Sequence, residues 1–429
     1  MKAFIETYGC SMNFADSQGI AGFLKQKGVS LSSLEDAEVV IFNGCSVKER
    51  TENRMLSRLA KLSALSAKNG FKLIVFGCLA KTISGKVSGI SDSIILCNGF
   101  RELALQFGSN AENDSLYFDF EAFSESPVTA IIPINSGCLN NCTFCSVKTS
   151  RGKLHSFPVE SILRRFRREI KTKREIWLTS QDTGAYGFDI NSSLPELLEA
   201  LLCEEGDFRI RIGMANPWHF RRIESGLVPL FDDERLYKFL HIPLQSGSDR
   251  ILSLMCRGYT AEYWAGLIGR LRASIPSLAI STDIITGFPT ETESEFNSTL
   301  EALLRARPDT VNISRYGKRD GTIAAEMQGQ VEGRIKSERS RAASAFAWKI
   351  ALENNSALVG ARQKALVSET GSRGGMVART NSYRPVVLSS ANLGEFLEVR
   401  IGRASANCLY AETRVPEAEK APANAFNKV

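Results

Sequence analysis

Three times in the first hundred residues an apolar run ends in Gly-Cys and gives way to another pattern. KAFIETYGC (2–10) is followed by helical periodicity around 14–28, EVVIFNGC (38–45) by a long amphipathic stretch around 47–69, and KLIVFGC (72–78) by a short polar segment. Strands alternating with helices predict a parallel sheet with crossover connections. In such a sheet all strands end on one edge, where ligands bind. Cys10, Cys45 and Cys78 are 35 and 33 residues apart, yet they are expected to meet at that edge. The glycine before each lets the backbone turn and approach a bulky group closely. A fourth run, SIILC, ends at Cys97 without that glycine, so Cys97 reads as a buried small hydrophobe.

Residues 103–127 are acidic and irregular and read as a linker. A second alternating series follows, with strands expected at TAIIPI (129–134), EIWLTS (175–180), FRIRIG (208–213), YKFLHI (237–242), SLAISTDI (277–284) and TVNIS (310–314). Six parallel strands form an open barrel, short of the eight of a closed one, and functional residues on barrels sit in the loops after the strands. A charged helix is expected over 331–356, then short strands QKALVSE, MVART, RPVVL, EFLEVRIG and NCLYAE from 360 to 413. Their close spacing predicts a small all-β barrel. The tail after 415 has the composition of a disordered segment.

With 429 residues, 43 % hydrophobic and 23 % charged, the chain has the composition of an ordinary globular protein of two or three domains. No run approaches the length of a membrane span. Glu6 interrupts the first apolar run, which makes it a poor secretory signal, so a cytoplasmic protein is expected. Its ten cysteines then point to metal ligands or buried thiols ahead of disulfides.

Charge adds a partner. Between 360 and 413 seven Lys or Arg face four Glu, and Tyr383 sits beside Arg384. A basic β-barrel with an exposed aromatic reads as an RNA platform, or else as a stabilising cap. The run RRFRREIKTKR (164–174) follows a helical pattern with Ile162, Phe166 and Ile170 toward a core. Its cations read as a solvated face or a phosphate-binding surface.

The loop after the first barrel strand holds Cys138, Cys142 and Cys145. A closed zinc site needs four donors, and His155 is the available fourth. An iron–sulfur cube also takes thiolates, usually four, and three leave one iron open to a substrate or cofactor. An electron carrier normally protects every iron, which argues against that role.

The spacing C-x3-C-x2-C, with Phe144 before the last cysteine, resembles the signature of radical S-adenosylmethionine enzymes, whose barrel is also partial. YGCSMNFADSQ (8–18), NGCSVKERTENR (43–54) and FGCLAK (76–81) resemble the three ligand motifs of the methylthiotransferase family. With a terminal barrel similar to a TRAM domain, the likeness covers roughly residues 1–413 in order. EIWLTSQDTGAYG (175–187), FLHIPLQSGSD (239–249) and STDIITGFPTETESEF (281–296) resemble the archaeal and eukaryotic branch. That branch converts N6-threonylcarbamoyladenosine beside the tRNA anticodon to its 2-methylthio form. Related branches act on isopentenyladenosine in tRNA or on a ribosomal-protein aspartate.

The resemblance implies an α/β protein: an N-terminal parallel α/β domain (1–105), a partial (β/α)6 radical barrel (128–356) and a TRAM-like RNA-binding barrel (359–415). It implies one [4Fe–4S] cluster on Cys138, Cys142 and Cys145, whose open iron binds S-adenosylmethionine, and a second on Cys10, Cys45 and Cys78 that carries the sulfur. An electron from an external donor would split the sulfonium, and the resulting radical would take hydrogen from C2 of adenosine 37. Ser180, Gln181 and Asp182 after the second barrel strand, Gln245 and Ser246 after the fourth, and Asp283 in the fifth are the candidate cofactor contacts. His241 reads as a satisfied core histidine, His219 has no assigned role, and Trp177 and Trp348 read as packing aromatics. The chain is expected to act as a monomer without a membrane. It departs from the family pattern at Thr290, where glycine is common, at Asp320 and Ile323, where prolines are usual, and at Cys256, where lysine is common. A zinc-stabilised RNA-binding protein without catalysis is the reading from another class.

Overall fold

A computed structural model of the chain describes residues 1–45, 49–109, 117, 118, 120–124 and 126–412. Part of the acidic linker and the tail after 415 lie outside these residues, as do positions 46–48 of the second cysteine motif. The amino-terminal sheet has five parallel strands in the order Ser30–Leu31, Lys2–Thr7, Val39–Asn43, Lys72–Phe76, Ile95–Cys97. The strands Val39–Asn43 and Lys72–Phe76 are apolar except at Asn43 and Lys72, because both faces are covered. Val40, Phe42, Leu73 and Val75 pack against Met55, Leu59 and Leu62 of the helix Glu49–Asn69. On the other face Val39, Ile41 and Ile74 meet Met12, Ile20 and Phe23 of the helix Ser11–Gln26. That apolar cluster continues without a break into Ile131, Ile176, Ile210 and Ile280 of the second unit.

The six expected strands of that unit form, at Thr129–Pro133, Glu175–Thr179, Arg209–Ile212, Phe239–His241, Ala279–Thr286 and Thr310–Arg315. The first three and the last three make two parallel ladders. Parallel bridges Ile210↔Leu236 and Met214↔His241 join the two sets in chain order. Among the described residues no ladder joins the first strand to the last, so the barrel is open. The carboxyl-terminal strands Arg362–Thr370, Met376–Thr380, Pro385–Leu388, Phe396–Ala404 and Leu409–Ala411 close into a small barrel.

Two surface expectations are corrected and a third is divided. Tyr383 does not face solvent as a platform. It packs against Tyr237 and Phe239, with ring centroids 4.9 and 5.1 Å away, and lies against the guanidinium of Arg211. Arg384 beside it binds Asp309 and Asn355. The two side chains dock the small barrel near the amino ends of the large barrel's strands. In the 164–174 run, Arg165 is buried and donates to the carbonyls of Tyr117 and Ile131, both at 2.9 Å. Arg167 pairs with Glu204 at 2.9 Å, while Lys173 and Arg174 bind the carbonyls of Ser126 and Asp207. Arg164, Arg167, Lys171 and Arg174 stay exposed, so the run is a solvated face from which Arg165 alone is taken into the core. Trp348 is 55 % exposed, because the helix Gly333–Ser356 turns Ala343, Ala347, Ile350 and Ala351 inward instead.

Thr290 has φ +67, a left-handed conformation that explains why glycine suits the position. The threonine is held there by its amide to Gly329 O (2.8 Å) and by Arg250 on its hydroxyl (3.1 Å) and carbonyl (2.9 Å).

Replacing Tyr383 by Ala is expected to cost about 3 kcal/mol of stability in urea unfolding, the range for a packed aromatic. A change below about 0.5 kcal/mol, the usual range for a surface site, would return Tyr383 to the surface.

Candidate functional site

Both cysteine trios lie at strand ends. Cys10 is the N-cap of Ser11–Gln26, Cys78 opens the helix Cys78–Thr82, and Cys45 follows Val39–Asn43 by two residues. The turns are packed so closely that a Cβ on Gly9 would lie 2.7 Å from Cys45 Cβ and 2.5 Å from Asn13 Oδ1. A Cβ on Gly77 would lie 2.4 Å from Asn43 Oδ1. Gly9 and Gly77 also have φ +142 and +87. Beneath them Asn13 Nδ2 donates to Asn43 Oδ1 (3.0 Å), and Asn43 Nδ2 returns a bond to Asn13 O (2.7 Å). This buried amide pair, missed in the sequence, ties the first turn to the second. Cys10 reaches solvent, while Cys45 and Cys78 are buried. Cys97 is fully buried, and burial pushes its thiol up to about 12, as suits a core hydrophobe.

The second trio is clamped from three sides. The Cys138 amide donates to Gly152 O at 3.2 Å, closing the loop on itself. Thr143 donates its amide to Met255 O (3.2 Å) and its hydroxyl to Leu254 O (2.8 Å), and accepts from the Ala324 amide (3.0 Å). Asn140 Nδ2 donates to Asp182 Oδ2 at 2.7 Å. Arg257, buried and bonded to the Tyr259 hydroxyl (3.0 Å), donates through Nη1 to Cys142 Sγ at 3.0 Å. Burial, with the neighbouring cysteines, pushes the Cys145 thiol up to about 12. A cationic metal centre is what lets such thiols ionise.

The expected cofactor contacts divide. Asp182 accepts from the amides of Gly184 (3.2 Å) and Asn216 (3.0 Å) and lies 3.1 Å from His219 Nε2. His219 therefore belongs to a buried hub beside Cys138. Ser180 and Ser246 accept from amides two residues on, at 3.0 and 3.2 Å, and act as turn residues. Asp283 is bonded to His241 (2.8 Å) and Asn312 (2.9 Å) across three adjacent strands. Gln181 and Gln245 differ: each keeps a buried Oε1 with no bonding partner, as does Asn135 Oδ1. Orphaned polar atoms at a barrel mouth fit a polar ligand such as S-adenosylmethionine.

His155 is exposed, with its ring at 89° to that of Phe157 and 5.5 Å from it. Among the described residues no three His, Cys, Asp or Glu converge as they would on a single metal ion. Gly9→Ala is expected to force the amino-terminal turns apart, so that Cys45 in the native protein becomes reactive to a soluble alkylating reagent, read by mass spectrometry. Continued protection of Cys45 would show that the turns have slack.

Three family models match the chain in succession: Uncharacterized protein family UPF0004 at residues 2–97, the Radical SAM superfamily at 132–303 and the TRAM domain at 356–413. The chain is similar to a probable threonylcarbamoyladenosine tRNA methylthiotransferase of Archaeoglobus fulgidus, 42 % identical over 96 % of this chain and 98 % of the relative. It is 34 % identical to a tRNA-2-methylthio-N(6)-dimethylallyladenosine synthase of Aquifex aeolicus, over 96 % and 98 % of the two chains. Among solved structures, the radical S-adenosylmethionine methyltransferase TsrM from Kitasatospora setae, with cobalamin and a [4Fe–4S] cluster bound, shares the fold. Its TM-score is 0.55 at 10 % identity, over 76 % of each chain. By likeness over nearly its whole length, this chain belongs to the threonylcarbamoyladenosine tRNA methylthiotransferase family of radical S-adenosylmethionine enzymes.

Proposed function

We propose that this methylthiotransferase acts on N6-threonylcarbamoyladenosine at position 37 of tRNA, with Cys138, Cys142 and Cys145 holding one [4Fe–4S] cluster and Cys10, Cys45 and Cys78 a second. What carries the reading is the pair of facing trios, each of three cysteines, joined by one side chain: Arg151 of the barrel loop donates to Cys78 Sγ at 3.2 Å. When bound, the clusters and S-adenosylmethionine supply the one-electron chemistry that activates an unactivated C–H bond, and the sulfur that replaces the hydrogen. The chain's own residues place and seal these groups. Thr143 and Asn140 fix the barrel loop, and Arg257 places a positive charge beside Cys142. Gln181 and Gln245, whose buried Oε1 atoms have no partner, would accept from a donor group of the cofactor.

For substrate, identity is higher to the archaeal threonylcarbamoyladenosine relative (42 %) than to the dimethylallyladenosine synthase (34 %), which favours the former nucleoside. On the small barrel, exposed Arg403 lies 4.0 Å over the Tyr410 ring and takes over from Tyr383 as the cation–aromatic pair open to RNA. No helix among the described residues is long and apolar enough to cross a membrane. We place the enzyme in the cytoplasm, working as a monomer with an external electron donor.

Anaerobically reconstituted protein is expected to carry about eight irons, two cubes of four. Cys142→Ala should retain about half of that iron and form no 5′-deoxyadenosine, and turnover in that variant would refute the assignment. In a strain lacking the protein, mass spectrometry of tRNA nucleosides should show loss of 2-methylthio-N6-threonylcarbamoyladenosine. Loss of the isopentenyl derivative instead would overturn the substrate reading.

A further inference from the structure

Arg151 connects the two cysteine trios. It ends the short helix Val147–Arg151, which starts just after Cys145. Its backbone belongs to the loop closed by the Cys138 amide on Gly152 O. Its guanidinium crosses to the amino-terminal unit. Nε donates to Cys78 Sγ at 3.2 Å, while Nη1 and Nη2 fork onto Asp16 at 3.1 and 2.6 Å. Asp16 lies in the helix capped by Cys10, and the Tyr117 hydroxyl donates to the same carboxylate. The Arg151 and Asp16 side chains are only 10 % and 1 % exposed.

A guanidinium so buried is tolerated only when its charge is paired. Asp16 does that through two nitrogens and leaves the third N–H directed at sulfur. Hydrogen bonds to cluster sulfurs, and nearby positive charge, favour the more negative reduced state and raise the reduction potential. A lysine keeps the charge but lacks the planar fork that serves carboxylate and sulfur together.

Resting on the two-cluster reading, we propose that Arg151 is a positioning residue for the amino-terminal cluster. Its Nε–H donates to the Cys78 thiolate and raises that cluster's potential, and its attachment to the barrel loop sets the spacing between the two centres.

The test uses the full chain carrying Cys138→Ala, Cys142→Ala and Cys145→Ala, so that only the amino-terminal cluster loads. In that background Arg151→Gln is expected to shift the midpoint potential to a more negative value and to alter the paramagnetic resonance spectrum of the reduced cluster. Arg151→Lys should fall between. In the complementary background, with Cys10, Cys45 and Cys78 replaced by Ala, Arg151→Gln should leave the barrel cluster's midpoint unchanged. An unchanged midpoint and spectrum in Arg151→Gln, at equal iron, overturn the proposal. If Arg151→Gln does not load iron, Arg151→Lys decides, and an unshifted midpoint there overturns it. If the first background binds no iron at all, the two-cluster reading falls and the proposal with it.

Discussion

The shared edge of parallel strands is the constraint on which the rest depends. A parallel sheet delivers every carboxyl end to one side, whatever the separation in sequence. At the amino-terminal edge the turns then collide unless side chains are absent where they touch. Gly9 and Gly77 meet that condition, since a Cβ on either would lie within 3 Å of a neighbouring turn. The Asn13–Asn43 pair fixes the remaining backbone beneath them. The barrel repeats the arrangement, with its cysteine loop placed after the first strand and pinned by loops that follow others.

Bringing these edges together creates an electrostatic problem. Thiolates and a metal cluster placed in a dry interface need compensating charge, and that charge must also be satisfied. Two guanidiniums, Arg151 at Cys78 and Arg257 at Cys142, are also held by protein oxygens, Arg151 through both Nη atoms on Asp16 and Arg257 through Nε on the Tyr259 hydroxyl. The same solution recurs away from the sulfur. Asp309 sits between Arg272 and Arg384, and that cluster fastens the small barrel to the large one.

The fold, and the placement of the cysteines after strands, were legible because they depend on local pattern. Alternating runs gave the parallel strands, and Gly-Cys marked the turns. The arginines were not legible, because what distinguishes Arg151 from any other cation is a contact with Asp16, 135 residues earlier. Tyr383 and Arg384 were misread for the same reason: their partners Tyr237 and Asp309 are remote in sequence, and a basic barrel looks alike whether its aromatic is docked or free. The cation run is different, for its signal was present. Arg165 falls three residues after Ile162 and one before Phe166, on the helix face that turns inward. Treating the run as one charge concealed that phase.

Part of the backbone strain follows the same geography, while Ser277, Arg307 and Tyr383 are left-handed outside it. Gln245 (φ +69), Cys256 (φ +54) and Thr290 (φ +67) are left-handed without being glycine, and all three lie in loops at the barrel mouth. Each such residue costs on the order of 1–3 kcal/mol and persists only where its surroundings over-determine it. They do so here. The Gln245 amide and carbonyl bond Asp283 O and the Ile285 amide at 2.8 and 2.9 Å, which fixes the backbone that carries its unpartnered Oε1. The Cys256 amide bonds Ser253 O (2.9 Å) and the Arg257 amide bonds Leu252 O (3.0 Å), so the left-handed turn delivers Arg257 to Cys142. Two of the family departures, Thr290 and Cys256, are therefore side-chain changes at positions whose backbone is set by the site, and the site's geometry survives them because it resides in those amide and carbonyl bonds.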